Sequence, residues 1–426
     1  MKSLFAWFCT GLAFVAWMPA FAGELSGADM PVPGDLPPKV AVEQALATHP
    51  MVRAAQANVR GAEAEHARRK AGEHEYGVRL STQRRSVGGG PDYTEWGAGI
   101  ERGLRLSGKA ALDDRIGAQG VLEAEEKVGD ARHEAARLLL GLWYTTRQAG
   151  LEAGLWRQQT DLLKDQKRIV ETRVKRGDAA RLDVYQAEAA LAQALSQATA
   201  AQARERTALA ELKARFPELP TPDASAVAPV IPEGDEAAWL ERTLAHNHEL
   251  LAVQRALEKA RLLTRRAEAD RIPDPTLGLH LANEQGGNDK IFGVSLSIPL
   301  PGEGRRAQAQ VQLAQAEAMA EMEAATRRHL ATEAAANWQR VVAGVESWQR
   351  LEEAAQAVTR HADLARRAGE LGELGLSDTL LARRAALEAK LAAGQARLDA
   401  NESIARLLLD AHRLWPLVHA TSGFEP

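Results

Sequence analysis

Apolar and polar residues alternate along the segment 74–87, where Tyr76, Val78 and Leu80 are separated by Gly77 and Arg79. The alternation stops at a Gly- and Pro-rich stretch and resumes between Trp96 and Leu106. A period of two residues on both sides of such a stretch is typical of a β-hairpin. The pattern therefore predicts two paired strands in the first half of the chain.

A second hairpin is predicted around the turn 286–289, and its pattern is clearer. Small or hydroxyl residues such as Gly278, Gly293 and Ser295 occupy one face of its strands. The other face carries large apolar residues: Leu277, Leu279, Leu281, Phe292, Val294, Leu296 and Ile298. Such strands suit a membrane sheet with lipid on one face and a wet lumen on the other. A half-buried strand of a soluble sheet has the same period, so the alternation alone does not separate the two.

Each hairpin is followed by a segment with the pattern of a very long helix. The segments 108–177 and 302–372 contain no proline, and each would span roughly 100 Å as a helix. Each ends at a glycine and is followed by a shorter return helix, predicted at 181–216 and 377–415. A further helix is predicted at 40–72. Because no globular core is 100 Å wide, the long helices must pack on other helices.

The two halves also share a motif at the helical turns. Gly177 is followed by Asp183, and Gly372 is followed by Asp378 at the same spacing. A duplication of nearly half the chain indicates a pseudo-symmetric pair of units. The predicted organisation is a signal peptide 1–22, an extended leader 23–39, a first repeat 40–216, a proline-rich linker 217–236, a second repeat 237–416 and a short tail 417–426.

The N-terminus has the features of a secretory signal. Lys2 precedes the apolar run 4–18, and Ala20-Phe21-Ala22 provides a small-x-small cleavage pattern, so we expect export. Cys9 is the only cysteine and lies inside this signal, so we expect no disulfide in the mature chain. A net charge of −4 argues against nucleic acid as a partner.

Candidate chemistry is sparse. His246 and His248 have the spacing of a zinc-binding pair, but the sequence shows no third ligand beside them, and two polar residues near a helix start explain them better. The glycines form neither a P-loop nor a dinucleotide motif. We therefore expect no enzyme activity, no cofactor and no bound metal.

In its order of motifs, the chain resembles the TolC-like outer-membrane efflux protein family over nearly all its mature length. The resemblance is carried by Gly177, Asp183 and Ala187, by the equivalent Gly372, Asp378 and Ala382, and by the strand exit 297–300. It implies a mainly α fold with a small β portion, in which a strand hairpin and a long helical hairpin are duplicated. It further implies a homotrimer, with a 12-stranded barrel in outer-membrane lipid continuous with an α-helical periplasmic barrel. Its partners would be a periplasmic adaptor protein and an inner-membrane efflux pump.

The sequence of the second turn, 369–384, is most similar to the branch that serves heavy-metal efflux pumps. The first turn departs from that pattern, because Lys175 and Arg176 make it basic. A multidrug or type I protein-secretion exit duct remains an alternative. A periplasmic adaptor or a coiled-coil structural protein would also contain long Ala-rich helices, but not the two strand hairpins.

The turns of the helical hairpins are the functional candidates, because charges at the narrow end of a pore decide closure and selectivity. We expect these residues to surround the periplasmic entrance: Gly177, Asp178, Arg181, Asp183, Glu370, Gly372, Glu373 and Asp378. Asp183 and Asp378 have an alternative role as caps of the return helices. Trp96 is a candidate anchor at the membrane interface.

Overall fold

The computed structural model describes residues 33–86, 88–223 and 225–415. The expected signal peptide, most of the leader and the tail lie outside this range. The described chain is mainly helical with one small sheet, as the sequence predicts. Its elements are α1 (Lys39–Thr48), α2 (Pro50–Ala71), β1 (Tyr76–Arg85), β2 (Tyr93–Gly103), α3 (Lys109–Lys175), α4 (Arg181–Arg215), α5 (Glu236–Ala245), α6 (His248–Ala269), β3 (Thr276–Glu284), β4 (Asp289–Ser297), α7 (Glu303–Leu371) and α8 (Leu376–Asp410).

The same succession of elements occurs twice. A pair of helices leads into a hairpin, the hairpin leads into a long helix, and the chain then reverses into a return helix. The long helices contain 67 and 69 residues, and both return helices contain 35. The sequence therefore predicts the duplicated architecture correctly.

The two hairpins join into one antiparallel sheet of order β1-β2-β3-β4. The central pair is formed between the copies, with Ile100 of β2 opposite Leu279 of β3. Within the described residues, β1 and β4 have no further strand beside them, so the sheet has two open edges.

Two helix boundaries differ from the sequence prediction. The single helix expected at 40–72 is two helices, because Pro50 holds His49 in an extended conformation (ψ 132°) and begins a new helix. The last return helix ends at Asp410 rather than Trp415. His412 adopts a left-handed conformation (φ 55°), and the Arg413 amide donates to the Leu408 carbonyl (2.8 Å), which closes the helix end.

The main hydrophobic core lies where α1, α2, α5, the ends of α4 and α8 and the middle parts of α3 and α7 meet. Its largest fully buried side chains include Tyr144, Phe216 and Trp239. Toward the turns, contact depends on smaller residues, such as the cluster Ala362, Ala365, Ala382 and Ala386 between α7 and α8. Because alanine lets helix backbones approach closely, the long arms pack without a wide core.

Asp35, which is 2% exposed, fastens the segment before α1 to the helices. Its carboxylate accepts hydrogen bonds from the Tyr144 hydroxyl (3.0 Å) and the Asn401 amide (3.3 Å). Arg147 lies 3.6 Å from the same carboxylate and donates to the Asp223 carboxylate at 3.0 Å. The segment before α1 and the linker that contains Asp223 are thus held against α3 and α8 by side-chain bonds.

Among the described residues, no helix combines the length and hydropathy required to cross a bilayer.

Candidate channel-forming surfaces

The sheet has one apolar face, and that face is exposed. Antiparallel partners lie on the same side of a sheet, so the register defines rows of side chains across the four strands. One row consists of Val78, Ile100, Leu279 and Val294, and the next of Leu80, Ala98, Leu281 and Phe292. Leu80 is 77% exposed and Phe292 is 70% exposed. No other described element of the single chain covers this face.

The seven candidates for lipid contact fall on or beside this face. The six from Leu277 to Leu296 lie on β3 and β4, and the register carries the same face onto β1 and β2. Ile298 lies just beyond the end of β4 and is 59% exposed.

Aromatic side chains lie at both ends of the apolar face. Tyr76 begins β1 beside Arg102, whose guanidinium carbon lies 4.6 Å from the centre of the Tyr76 ring. Trp96 lies near the other end, in a row with the polar residues Thr82, Asn283 and Lys290. The strand length from Tyr76 to Thr82 is roughly 20 Å. Aromatic residues therefore border an apolar band somewhat shorter than the 25 Å typical of membrane strands.

The opposite face is polar and rich in glycine. Arg79 donates to the Glu101 carboxylate at 3.2 Å, and Ser295 lies over Gly278. The His280 ring occupies the space in which a Cβ of Gly293 would lie. Glycine therefore leaves room for the few polar side chains on this face.

A buried ionic network joins the sheet to the long helices. Lys109, at the start of α3, is 2% exposed and donates to the Asp274 carboxylate (2.9 Å) and the Ile272 carbonyl (2.7 Å). Asp274 also binds the Leu106 amide (3.1 Å) and the His74 ring (3.0 Å). Burial alone would raise the pKa of Asp274, but the bonds from Lys109, Leu106 and His74 outweigh burial and lower the pKa to about 2.

Asp113 extends this network into the helices. Its two carboxylate oxygens accept from Arg105 (3.1 Å) and Arg266 (2.8 Å). Residues from both copies therefore fix the angle between sheet and helices. The sequence does not reveal the pairs that join the two copies, because Asp113 and Arg266, like Lys109 and Asp274, lie more than 150 residues apart.

The two helical turns have the same backbone geometry. Gly177 (φ 85°) and Gly372 (φ 81°) adopt the left-handed conformation that glycine favours. The Asp178 amide donates to the Arg173 carbonyl, and the Glu373 amide donates to the Ala368 carbonyl, both at 2.9 Å. Both glycines therefore terminate the long helices in the same way.

The two turns lie side by side. The Arg173 guanidinium of the first turn donates to the Gly369 carbonyl of the second at 3.4 Å. A cleft of about 310 Å³ between the turns is lined by four of the eight candidates: Asp183, Glu370, Gly372 and Glu373. Gly177, Asp178, Arg181 and Asp378 are exposed and do not line this cleft.

Asp183 and Asp378 are not side-chain caps. The N-caps of the return helices are Ala180 and Gly375, and neither makes a side-chain capping bond. Both aspartates lie in the first helical turn, where their charge favours the positive end of the helix dipole. The capping alternative is therefore wrong.

His246 and His248 belong to a larger group that sequence reasoning missed. The ring centre of His412, beyond α8, lies 5.2 Å from that of His248 and 5.6 Å from that of His133 on α3. Within the described chain, no group of three or more His, Cys, Asp and Glu side chains is arranged to hold a metal ion. A sequence window cannot reveal this cluster, because its histidines come from distant segments.

No protein-family model matches the chain, and no curated protein sequence matches it. Several solved structures do. The outer-membrane channel OprN is 20% identical, with 87% of this chain and 89% of that chain covered and a TM-score of 0.74. The CmeC outer membrane channel of Campylobacter jejuni is 15% identical, with coverages of 88% and 85% and a TM-score of 0.72.

The open state of the MtrE outer membrane channel of Neisseria gonorrhoeae is 18% identical, with coverages of 88% and 89% and a TM-score of 0.64. The similarity extends over nearly the full length of both partners in each comparison. The chain therefore has the fold of these outer-membrane channels.

Proposed function

We propose that the protein is the outer-membrane exit duct of a tripartite efflux system and works as a homotrimer. The observation that carries the proposal is the four-stranded sheet with an exposed apolar face and two open edges. Open edges are not tolerated in lipid, and bacterial barrels have at least eight strands. Three chains would supply 12 strands and close every edge.

The helices support the same assignment. At 1.5 Å per residue, α3 and α7 each extend roughly 100 Å from the sheet. In a trimer they would form a periplasmic tube whose narrow end carries the helical turns. A periplasmic adaptor and an inner-membrane pump would meet the duct at that end. The similar solved structures are outer-membrane channels by name, which agrees with this location.

Adjacent residues of β4 provide the test. Val294 belongs to the apolar face and Ser295 to the polar face, and both are exposed in the single chain. Val294→Lys would place a charge in lipid at a cost of about 2–4 kcal/mol near the bilayer centre, whereas Ser295→Lys would place it in the lumen.

We expect the wild type and Ser295→Lys to fractionate with the outer membrane as a heat-labile trimer on unheated gels, and Val294→Lys to lose that trimer. A soluble monomer in the wild-type periplasm would refute the duct. Equal tolerance of both substitutions would refute the assignment of the faces.

We propose heavy-metal ions as the cargo class, on the resemblance of the segment 369–384 to that branch. Deletion of the gene should sensitise the host to divalent metal ions and leave sensitivity to dyes and detergents unchanged. The reverse pattern would favour a multidrug duct, and loss of a secreted protein would favour a type I secretion duct.

A further inference from the structure

Four histidines from three parts of the chain meet at the end of α8. His133 lies on α3 and is 5% exposed, His246 and His248 flank the start of α6, and His412 follows α8. The His412 ring stacks on His133 at an interplanar angle of 17° and meets His248 edge-on at 77°. His246 is farther away, at 6.4 Å between ring centres.

The neighbouring charges are already engaged. Asp410 accepts from Arg137 (3.0 Å) and Asn337 (2.8 Å), and its carboxylate lies 3.2 Å from His133 Nε2. Glu126 Oε2 lies 3.0 Å from His248 Nδ1. These carboxylates can balance a positive charge on His133 or His248.

His412 is balanced less well, because Asp410 attracts it but is already bound by Arg137 and Asn337. Its Nδ1 is buried and has no hydrogen-bond partner among the described residues. Two further carboxylates are near: Asp130 on α3, which attracts His133 and His248, and Glu249, which follows His248 on α6. Burial, followed by repulsion from Glu134 for Asp130 and from Asp130 for Glu249, raises the pKa of each.

The backbone conformation of His412 is independent evidence that its side chain has a structural role. His412 occupies the left-handed position that ends a helix, where glycine is the usual residue and a side chain is strained. The turn that it forms carries Leu414 and Trp415 into the main core, where they are 8% and 6% exposed. The His412 imidazole thus lies between two buried parts of the chain, the end of α8 and the residues Leu414 and Trp415.

We propose that this histidine cluster is an acid-operated latch. At neutral pH, the uncharged His412 ring packs against His133 and His248 and holds the turn 411–415 against α3 and α6. In mild acid, a proton on His412 creates a buried charge beside His133 and His248 that Asp410, already bound by Arg137 and Asn337, balances only in part, and the turn is released. The latch is a property of the chain and does not depend on the proposed transport function.

The direction of the effect follows from the environment of His412. Burial, followed by repulsion from His133, His248 and His246, lowers the pKa of His412 from the ordinary 6.5 to about 4, and attraction to Asp410 offsets only part of this decrease. A lowered histidine pKa stabilises the packed form above pH 6.5, and that stabilisation is lost as the pH falls toward 4. The equilibrium for release therefore increases by at most about 20-fold between pH 7 and pH 5, and by less if solvent screens the ring.

Hydrogen exchange of the purified full-length protein tests the latch. Mass spectrometry compares peptides covering 408–415 with core peptides covering 139–144 at pH 7 and pH 5, after correction for the intrinsic pH dependence of exchange. We expect exchange in 408–415 to accelerate several-fold at pH 5 while 139–144 stays protected. His412→Asn should abolish the acceleration, because asparagine tolerates the left-handed conformation and does not titrate.

His361→Asn is the matched control, because His361 is an exposed histidine on α7 outside the cluster. It should respond to pH as the wild type does. Equal corrected exchange of 408–415 at both pH values would overturn the latch. The same acceleration in His412→Asn, or simultaneous loss of protection in 139–144, would also overturn it.

Discussion

Replacing Asp274 with asparagine tests whether the buried network holds sheet and helices together. The substitution keeps the shape of the side chain but removes the charge that faces Lys109. Lys109 would keep the Ile272 carbonyl and one carboxylate, that of Asp270, which lies 3.0 Å away and is more exposed than Asp274. The change therefore separates the electrostatic contribution from packing.

The size of the effect follows from the contacts of Asp274. Lowering its pKa from 3.8 to about 2 corresponds to about 2 kcal/mol in favour of the ionised folded form. Breaking a buried ion pair by removing one partner costs roughly 3–5 kcal/mol. Because Asp270 still faces Lys109, we expect the free energy of unfolding to decrease by about 2–3 kcal/mol.

Denaturant unfolding of the detergent-solubilised protein, followed by helical circular dichroism, measures this decrease. Asp161→Asn is the control, since Asp161 forms only an exposed pair with Lys164 and should change stability by less than about 0.5 kcal/mol.

The pH dependence identifies the cause. A carboxylate whose pKa is lowered in the folded state stabilises the fold above pH 3.8, and this stabilisation is lost as the pH falls toward 2. The difference between wild type and Asp274→Asn should therefore narrow by about 1.5 kcal/mol between pH 7 and pH 2.5. A difference of the same size at both pH values would refute the electrostatic explanation.

The remaining predictions concern the packing of α3 and the charges at the helical turns. Gly129→Ala should lower the free energy of unfolding by about 1–3 kcal/mol, because the new Cβ would overlap the His248 ring. A Cβ at Gly141 on the same helix would meet open space, so Gly141→Ala should raise the free energy of unfolding by up to about 1 kcal/mol. Thermal unfolding of both variants checks that the two effects have opposite signs. If charges at the turns hold the duct closed, Asp183→Asn and Glu370→Gln should each raise single-channel conductance in planar bilayers, and unchanged conductance would contradict that role.

The architecture could be predicted from sequence because it depends on local patterns. Absence of proline over the long segments, alternation in the hairpins and glycine at Gly177 and Gly372 each determine the structure of their own neighbourhood. The errors arose where one residue acted against the pattern around it. Pro50 divides an otherwise continuous helix, and His412 ends α8 by adopting a conformation that its residue type rarely adopts.

The contacts between elements could not be predicted in the same way. Lys109 and Asp274 meet only because the start of α3 and the end of α6 converge beneath the sheet. His133 and His412 meet only when the end of α8 returns to α3. A single sequence gives no measure of such distances, so neither site could be located before the fold was known.

The pairing of β2 with β3 also constrains the order of folding. These adjacent strands are separated in sequence by α3, α4, α5 and α6. They can pair only after these four helices have brought the chain back to the sheet. Each hairpin can form locally and quickly. Pairing of the two hairpins is slow, because the segment between β2 and β3 is long. We therefore expect the complete apolar surface to appear late in folding. Until then the two hairpins remain separate, so slow pairing of β2 with β3 is the step at which their apolar residues are open to aggregation.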